Sequence, residues 1–285
     1  MALDDRLPDA QTLLREFALE KLDGDLRNFK DFDFETLKED MRFGTAAPKQ
    51  FDCDNTFIIR AVYVLLWGEV FPDMSDWREI GTGKRYRGDT IHTFHTIFGR
   101  ADPDAPGHFY GIDRFAPVDA ALYDRIRKFW KKMCTLGNYV VLPNATATRR
   151  GHAVTLNTYR GTNRWHDYFD QFLLALEPCL SAGSRDDATL CELVHGGNAA
   201  AFAAYRSPGG FTRLAQALLL DDYLDDEGHA KNLFADAKGK VRFHWERPQP
   251  EREVYFRGVV NFLDHAERII SRRTDRMIEL LRPFC

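Results

Sequence analysis

The stretch APVDAALYDRIRKFWKKMCTLGNYVVLPN, residues 116–144, joins the two kinds of element that the chain uses. Asp119 stands near its start and basic residues gather toward its end, the charge order that suits a helix dipole. Gly137 supplies the stop. NYVVLP, residues 138–143, then forms a short β-rich run that a proline ends, and this spacing predicts a buried strand. Val140, Val141 and Leu142 are expected inside, with Gly137 and Asn138 shaping the turn between helix and strand.

Working outward, helical signals dominate. LPDAQTLLREFALEKLDG, residues 7–24, has Pro8 near a helix start, Leu13, Leu14, Phe17 and Leu22 near one face, and Gly24 just past the end. DNTFIIRAVYVLLWG, residues 54–68, begins at a good N-cap in Asp54 or Asn55 and closes at Gly68; its length favours a buried helix over a strand. RWHDYFDQFLLALEPC, GFTRLAQALLLDDYLDD and a long last segment from about Glu251 to Leu281 complete the helical set. A second extended run, KVRFHW at 240–245, alternates polar and apolar residues and could pair with 138–143. No repeat, low-complexity tract or long flexible linker divides the chain, and the loop-rich 144–163 region crosses one domain. The expected fold is mainly α: a single globular helical domain over 1–285 with at most a small minor β-sheet.

The net charge of −4 provides no global basic field for non-specific nucleic-acid binding. The N-terminus lacks an apolar signal core, and AVYVLLW is too short to span a bilayer, so the expected setting is cytoplasmic, without membrane association. Cys53, Cys134, Cys179, Cys191 and Cys285 are odd in number, widely spaced and without a C-x-x-C pair, which predicts reduced thiols. Walker loops, G-x-S-x-G elbows and G-x-G-x-x-G turns do not occur.

Several segments, in order, resemble the landmarks of a family of uncharacterised bacterial proteins: DFDF, LLWGEVFPD, RGDTIHTF, TLGNYVVLPN, NTYRG and HDYFDQFLLALE. Asp167, Phe169 and Asp170 match that family's Asp-x-Phe-Asp positions, whereas His166 falls outside its pattern. The resemblance implies a bacterial origin and one domain with conserved segment order, and it implies no activity, cofactor or mechanism.

Three polar constellations remain. In GDTIHTFHTIFG, Asp89 or Thr90 caps an expected helix that Gly99 ends; His92 and His95 then spread over too wide an arc for Asp89, His92 and His95 to share one metal, so no metal site is assigned. Tyr-Arg-Gly recurs as YRGDT at 86–90 and YRGTN at 159–163, each before an expected helix. Glycine permits a turn with exposed N–H groups, and arginine offers a planar fork for phosphate. Arg87, Gly88, Asp89, Arg160, Gly161 and Asn163 therefore make one candidate anion cradle, in which loss of Arg87 or Arg160 weakens ligand binding but spares the fold. WHDYFD adds Asp167 and Asp170, which together with His92 are the candidate catalytic residues for attack on a phosphate ester. FDCDN at 51–55 could supply metal carboxylates, but its alternation suits edge strands or caps equally well. The acidic DDYLDDEGH, residues 221–229, reads as solvated surface.

These features support a helical protein that binds a phosphate-bearing ligand, a nucleotide or a nucleic-acid end, and, if it is an enzyme, a phosphate-directed hydrolase. The alternative is a non-catalytic interaction or scaffold module, in which the arginines brace loops against carboxylates. Ligand identity, reaction, cofactor, pathway and oligomeric state have no signature in the sequence.

Overall fold

The computed structural model describes residues 8–48, 51–71, 73–81, 83–93, 120–149, 152–162, 168–180, 187–234 and 252–285. The protein is mainly α-helical, with two small antiparallel strand pairs among these residues. Helix α1 (Ala10–Lys21) starts where the Asp9 carboxylate accepts from Thr12 N at 2.8 Å, and it buries Leu13, Leu14, Phe17 and Ala18. The chain turns after it at Gly24, whose φ of 74° favours glycine. Helix α2 (Phe57–Trp67) packs against α1 and is buried on most of its faces. Its N-cap is Thr56 rather than Asp54 or Asn55, because those two side chains are engaged elsewhere.

Strand β1 (Tyr86–Thr90) is where the sequence reading of YRGDT fails. Gly88-Asp89-Thr90 carries helix-start chemistry, yet here it is extended and pairs antiparallel with β2 (Tyr139–Pro143), Gly88 opposite Val141 and Asp89 opposite Val140. The Asp89 carboxylate therefore caps no helix. The segment from Phe94 to Gly99, with His95, lies outside the described residues. The run 240–245 also lies outside them, and the partner of β2 is β1.

The opening stretch folds largely as its pattern predicts. Helix α3 (Ala120–Met133) leads through a short 3-10 turn (Leu136–Asn138) into β2, all five of whose residues are buried. Gly137 is required by close approach: a Cβ there would lie 2.0 Å from the Ile270 carbonyl and 2.3 Å from Thr274 Oγ1. The hairpin β3 (Ala147–Arg149) and β4 (His152–Val154) precedes helix α4 (Leu156–Thr162). The second Tyr-Arg-Gly lies inside α4 and is not a turn. Thr155 N donates to Thr158 Oγ1 at 2.8 Å, and Tyr159 N to the Thr155 carbonyl, so the helix has begun before Arg160.

Helices α5 (Phe169–Leu180) and α6 (Ala188–His195) pack together and bring Cys179 and Cys191 into a disulfide, which overturns the all-thiol expectation. A pairing set by the packing of two helices leaves no C-x-x-C pattern in the sequence. Two shorter helices follow, α7 (Ala199–Phe202) and α8 (Gly210–Ala217). The expected helix over GFTRLAQALLLDDYLDD stops at Ala217 because the chain turns at Leu219, where φ is 59°. The acidic run beyond it is partly tied down: Asp222 pairs with Arg272 at 2.8 Å and Asp221 with Arg276.

The last helix, α9 (Arg252–Leu281), lies against α3 and the turn at 136–138. Arg273 on α9 is 1% exposed and donates to the Gly137, Tyr139, Leu218 and Leu219 carbonyls at 2.5–3.1 Å. Burial lowers its pKa to about 10, so it stays cationic at neutral pH. A guanidinium has enough N–H donors to reach four carbonyls from two segments, 137–139 and 218–219, at once, so Arg273 fastens the C-terminal helix to the strand pair. The main core gathers around α1, α2, β1, β2, α5 and α6, and a second apolar cluster fills the space between α3 and α9; Cys53 and Leu233 pack against both. None of the described helices is long and apolar enough to cross a membrane.

Candidate functional site

The polar centre of the molecule surrounds the outer edge of β1. Asn55, in the 3-10 turn Cys53–Asn55, acts as a substitute strand partner: Gly88 N donates to Asn55 Oδ1 at 3.0 Å, and Asn55 Nδ2 donates to the Gly88 carbonyl at 3.3 Å. This pairing satisfies an edge that would otherwise present bare amide groups. Gly88 has to be glycine because the chain comes so near: an added Cβ would stand 2.0 Å from the Asp54 carbonyl. Its N–H, expected to face an anion, is thus committed within the protein.

Asp54 is buried beside it, accepting from Asn55 Nδ2 at 2.5 Å, while its main-chain carbonyl accepts from the Tyr63 hydroxyl at 2.9 Å. Burial first, then the charge of Asp52, a hydrogen bond to Asp52 and the charge of Asp89, raise the Asp54 carboxyl well above the ordinary carboxylate range. The protonated form of Asp54 is thereby favoured. Asp52 is the outer member of the pair. It accepts from Arg87 at 3.2 Å and lines an open cleft of about 700 Å³, solvent included, with Asn55, Phe57, Arg60, Gly81 and Lys84.

Two cations face that cleft. Arg60 on α2 donates through Nε to the Asn55 carbonyl at 2.7 Å, and its guanidinium lies over the Phe57 ring and against Gly81. Gly81 has φ 136°, and a Cβ there would press on Arg60 at 2.8 Å, so glycine leaves room for the guanidinium. Lys84 is 44% exposed and stands 3.6 Å from Glu79, a loose surface pair. Arg87, at the edge, keeps a buried Nε with no hydrogen-bond partner among the described residues.

The remaining expected site residues disperse. Arg160 is fully buried, pairs with Asp89, donates to the Thr90 carbonyl at 3.0 Å and stacks over Phe169 at 4.6 Å. Arg87 on β1 thus meets Asp52 and Arg160 on α4 meets Asp89, and of the two arginines only Arg87 reaches the surface. This corrects the expectation that both guanidinium groups face one pocket. His92 is buried too: its Nε2 is 2.7 Å from the Tyr223 hydroxyl, its ring sits among Phe234 and Phe262, and Asn138 bonds both of its main-chain groups. Asp170 accepts from Leu233 N at 3.0 Å and Gln171 N at 2.9 Å, holding the 233–234 segment onto α5. Burial raises the Asp170 carboxyl to about 6 against the opposing hydrogen bonds. Asp167 and Asn163 lie outside the described residues; Gly161 belongs to α4.

The residues that line the cleft were largely passed over in the sequence. FDCDN was visible as a carboxylate source, but its partners Arg60 and Lys84 are brought to it only by folding. Among the described residues no three His, Cys, Asp or Glu side chains gather as a metal cage. No family model, curated protein or solved structure matches the chain.

Proposed function

We propose that the Asp52 cleft binds a small phosphate-bearing ligand, with Arg60, Lys84 and Arg87 as its cationic contacts. The reading is supported above all by one juxtaposition: Arg60 and Lys84 line a solvent-open cleft whose Asp52 meets Arg87 and neighbours the buried Asp54, where the protonated form is favoured. An incoming phosphate exchanges for Asp52 at the Arg87 Nη2 and gains a charge-assisted hydrogen bond there. The Asp52 and Asp54 pair supplies the acid–base function of a phosphate-directed hydrolase, because Asp52 faces the ligand and the buried Asp54 keeps a proton within reach. Asp170 and His92, each engaged elsewhere in the interior, have no part in this version of the site.

A second reading, a scaffold whose arginines brace loops, draws on the complete burial of Arg160 against Asp89. A thermal-shift panel at constant ionic strength separates the two. Inorganic phosphate, a nucleoside monophosphate and a nucleoside triphosphate should raise the melting temperature in a saturable way for the native protein and not for Lys84→Gln combined with Arg87→Gln. No saturable shift with any of the three favours the scaffold.

A further inference from the structure

Two cysteines from distant parts of the chain meet next to this cleft. Cys53 opens the 3-10 turn that also carries Asp54 and Asn55, and Cys134 follows the last residue of α3; their sulfurs are 3.1 Å apart. Cys53 is half-buried and Cys134 is buried. The Tyr139 phenol is buried beside them, its ionisation suppressed by burial and then by both thiols. The Cys134 thiol is held protonated, first by its hydrogen bond with Cys53 and then by burial.

We propose that Cys53 and Cys134 are a redox-active dithiol that closes reversibly to a disulfide, Cys53 attacking a small-molecule disulfide and Cys134 resolving the intermediate. The geometry needs only a small adjustment, since the sulfurs must approach by about 1 Å to reach bonding distance. In the first step the Cys53 thiolate attacks one sulfur of a disulfide R–S–S–R, forming Cys53–S–S–R and releasing R–S⁻. Cys134 then gives its proton to that released thiolate, and its sulfur attacks Cys53 Sγ and expels the second R–S⁻, which takes up a proton from water. The protein loses two electrons, and the small disulfide is reduced to two thiols. The partial exposure of Cys53 assigns it the first step, and the burial of Cys134 reserves it for the second. Because Cys53 stands between Asp52 and Asp54 in the chain, the bond ties the redox state to the cleft; this last link rests on the ligand reading, whereas the bond itself does not.

The test equilibrates the full chain with mixtures of oxidised and reduced glutathione, blocks free thiols by alkylation, and maps the peptides by mass spectrometry without reduction. The expected result is a cross-linked pair of peptides carrying Cys53 and Cys134, formed in proportion to the oxidised fraction and lost on adding excess reduced glutathione. Cys134→Ser should instead retain glutathione on Cys53, and Cys285→Ser should leave the cross-link intact. The proposal is overturned if the native chain keeps a stable glutathione adduct on Cys53, if both sulfurs are alkylated in oxidising mixtures, or if Cys285→Ser abolishes the link. The peptide map reads the bond whether or not phosphate binds, so the two proposals fail separately.

Discussion

Replacing Arg160 by methionine keeps most of the side-chain volume and removes the charge. Asp89 would then stand 4% exposed with one oxygen still accepting from Thr90 N at 2.9 Å and the other without its guanidinium. The Thr90 carbonyl would lose a donor at 3.0 Å, and the Phe169 ring would lose a cation at 4.6 Å. Breaking one half of a buried ion pair typically costs about 3 to 5 kcal/mol, mostly from the stranded charge. Arg160→Met should therefore destabilise the protein by about that amount in urea unfolding followed by circular dichroism. Asp89→Asn alone should cost a comparable amount, because it leaves the fully buried Arg160 guanidinium without its counter-charge. The double variant should recover at least about 1 kcal/mol of the Arg160→Met loss, the mark of a coupled pair. If Arg160→Met unfolds within about 0.5 kcal/mol of the native protein, Asp89 is not held as described.

Further outcomes follow from the same interior. Arg273→Met should cost about 3 kcal/mol or more in the same unfolding assay, since four carbonyls lose their shared donor. Gly137→Ala should cost at least about 2 kcal/mol, as the new methyl meets main chain that cannot step aside; a soluble variant with unchanged stability would argue against the α9 docking. For Asp170, whose folded pKa is raised from 3.8 to about 6, the native state holds a proton that the unfolded state releases. Its contribution is most favourable below about pH 4 and is lost as pH rises through about 6, a change of about 3 kcal/mol. Asp170→Asn should flatten the unfolding free energy across that window, and an unchanged slope would exclude Asp170 as its source.

The contrast between α1 or α9 and β1 shows where local pattern stops being enough. Helix α1 is legible because Asp9, the Leu13, Leu14 and Phe17 face, and Gly24 lie within one short window, and the strand in NYVVLP is legible because Tyr139 to Pro143 is an unbroken run of aromatic and aliphatic residues without a charge. YRGDT misled because its Gly-Asp-Thr order is equally good at starting a helix. What makes it a strand is β2, about fifty residues later, together with the Asn55 side chain along its other edge. The second Tyr-Arg-Gly did carry a usable signal, since Thr155 and Thr158 can cap each other's turn and start α4 ahead of Arg160. Burial of Arg160 had no such local trace, because its counter-ion comes from β1. The cleft has the same origin: Asp52 precedes α2, Arg60 lies within it, and Lys84 precedes β1.

The claim that most needs testing is that phosphate occupies the Asp52 cleft through Arg60, Lys84 and Arg87. Isothermal titration of the reduced protein with inorganic phosphate, matched in ionic strength by chloride, measures it directly. The account predicts a single saturable site whose affinity falls about tenfold or more in Lys84→Gln combined with Arg87→Gln, the scale of one or two charged hydrogen bonds, while Arg160→Lys, if it remains folded, binds as the native protein does. Absence of saturable heat, or an affinity indifferent to Lys84 and Arg87, would contradict it.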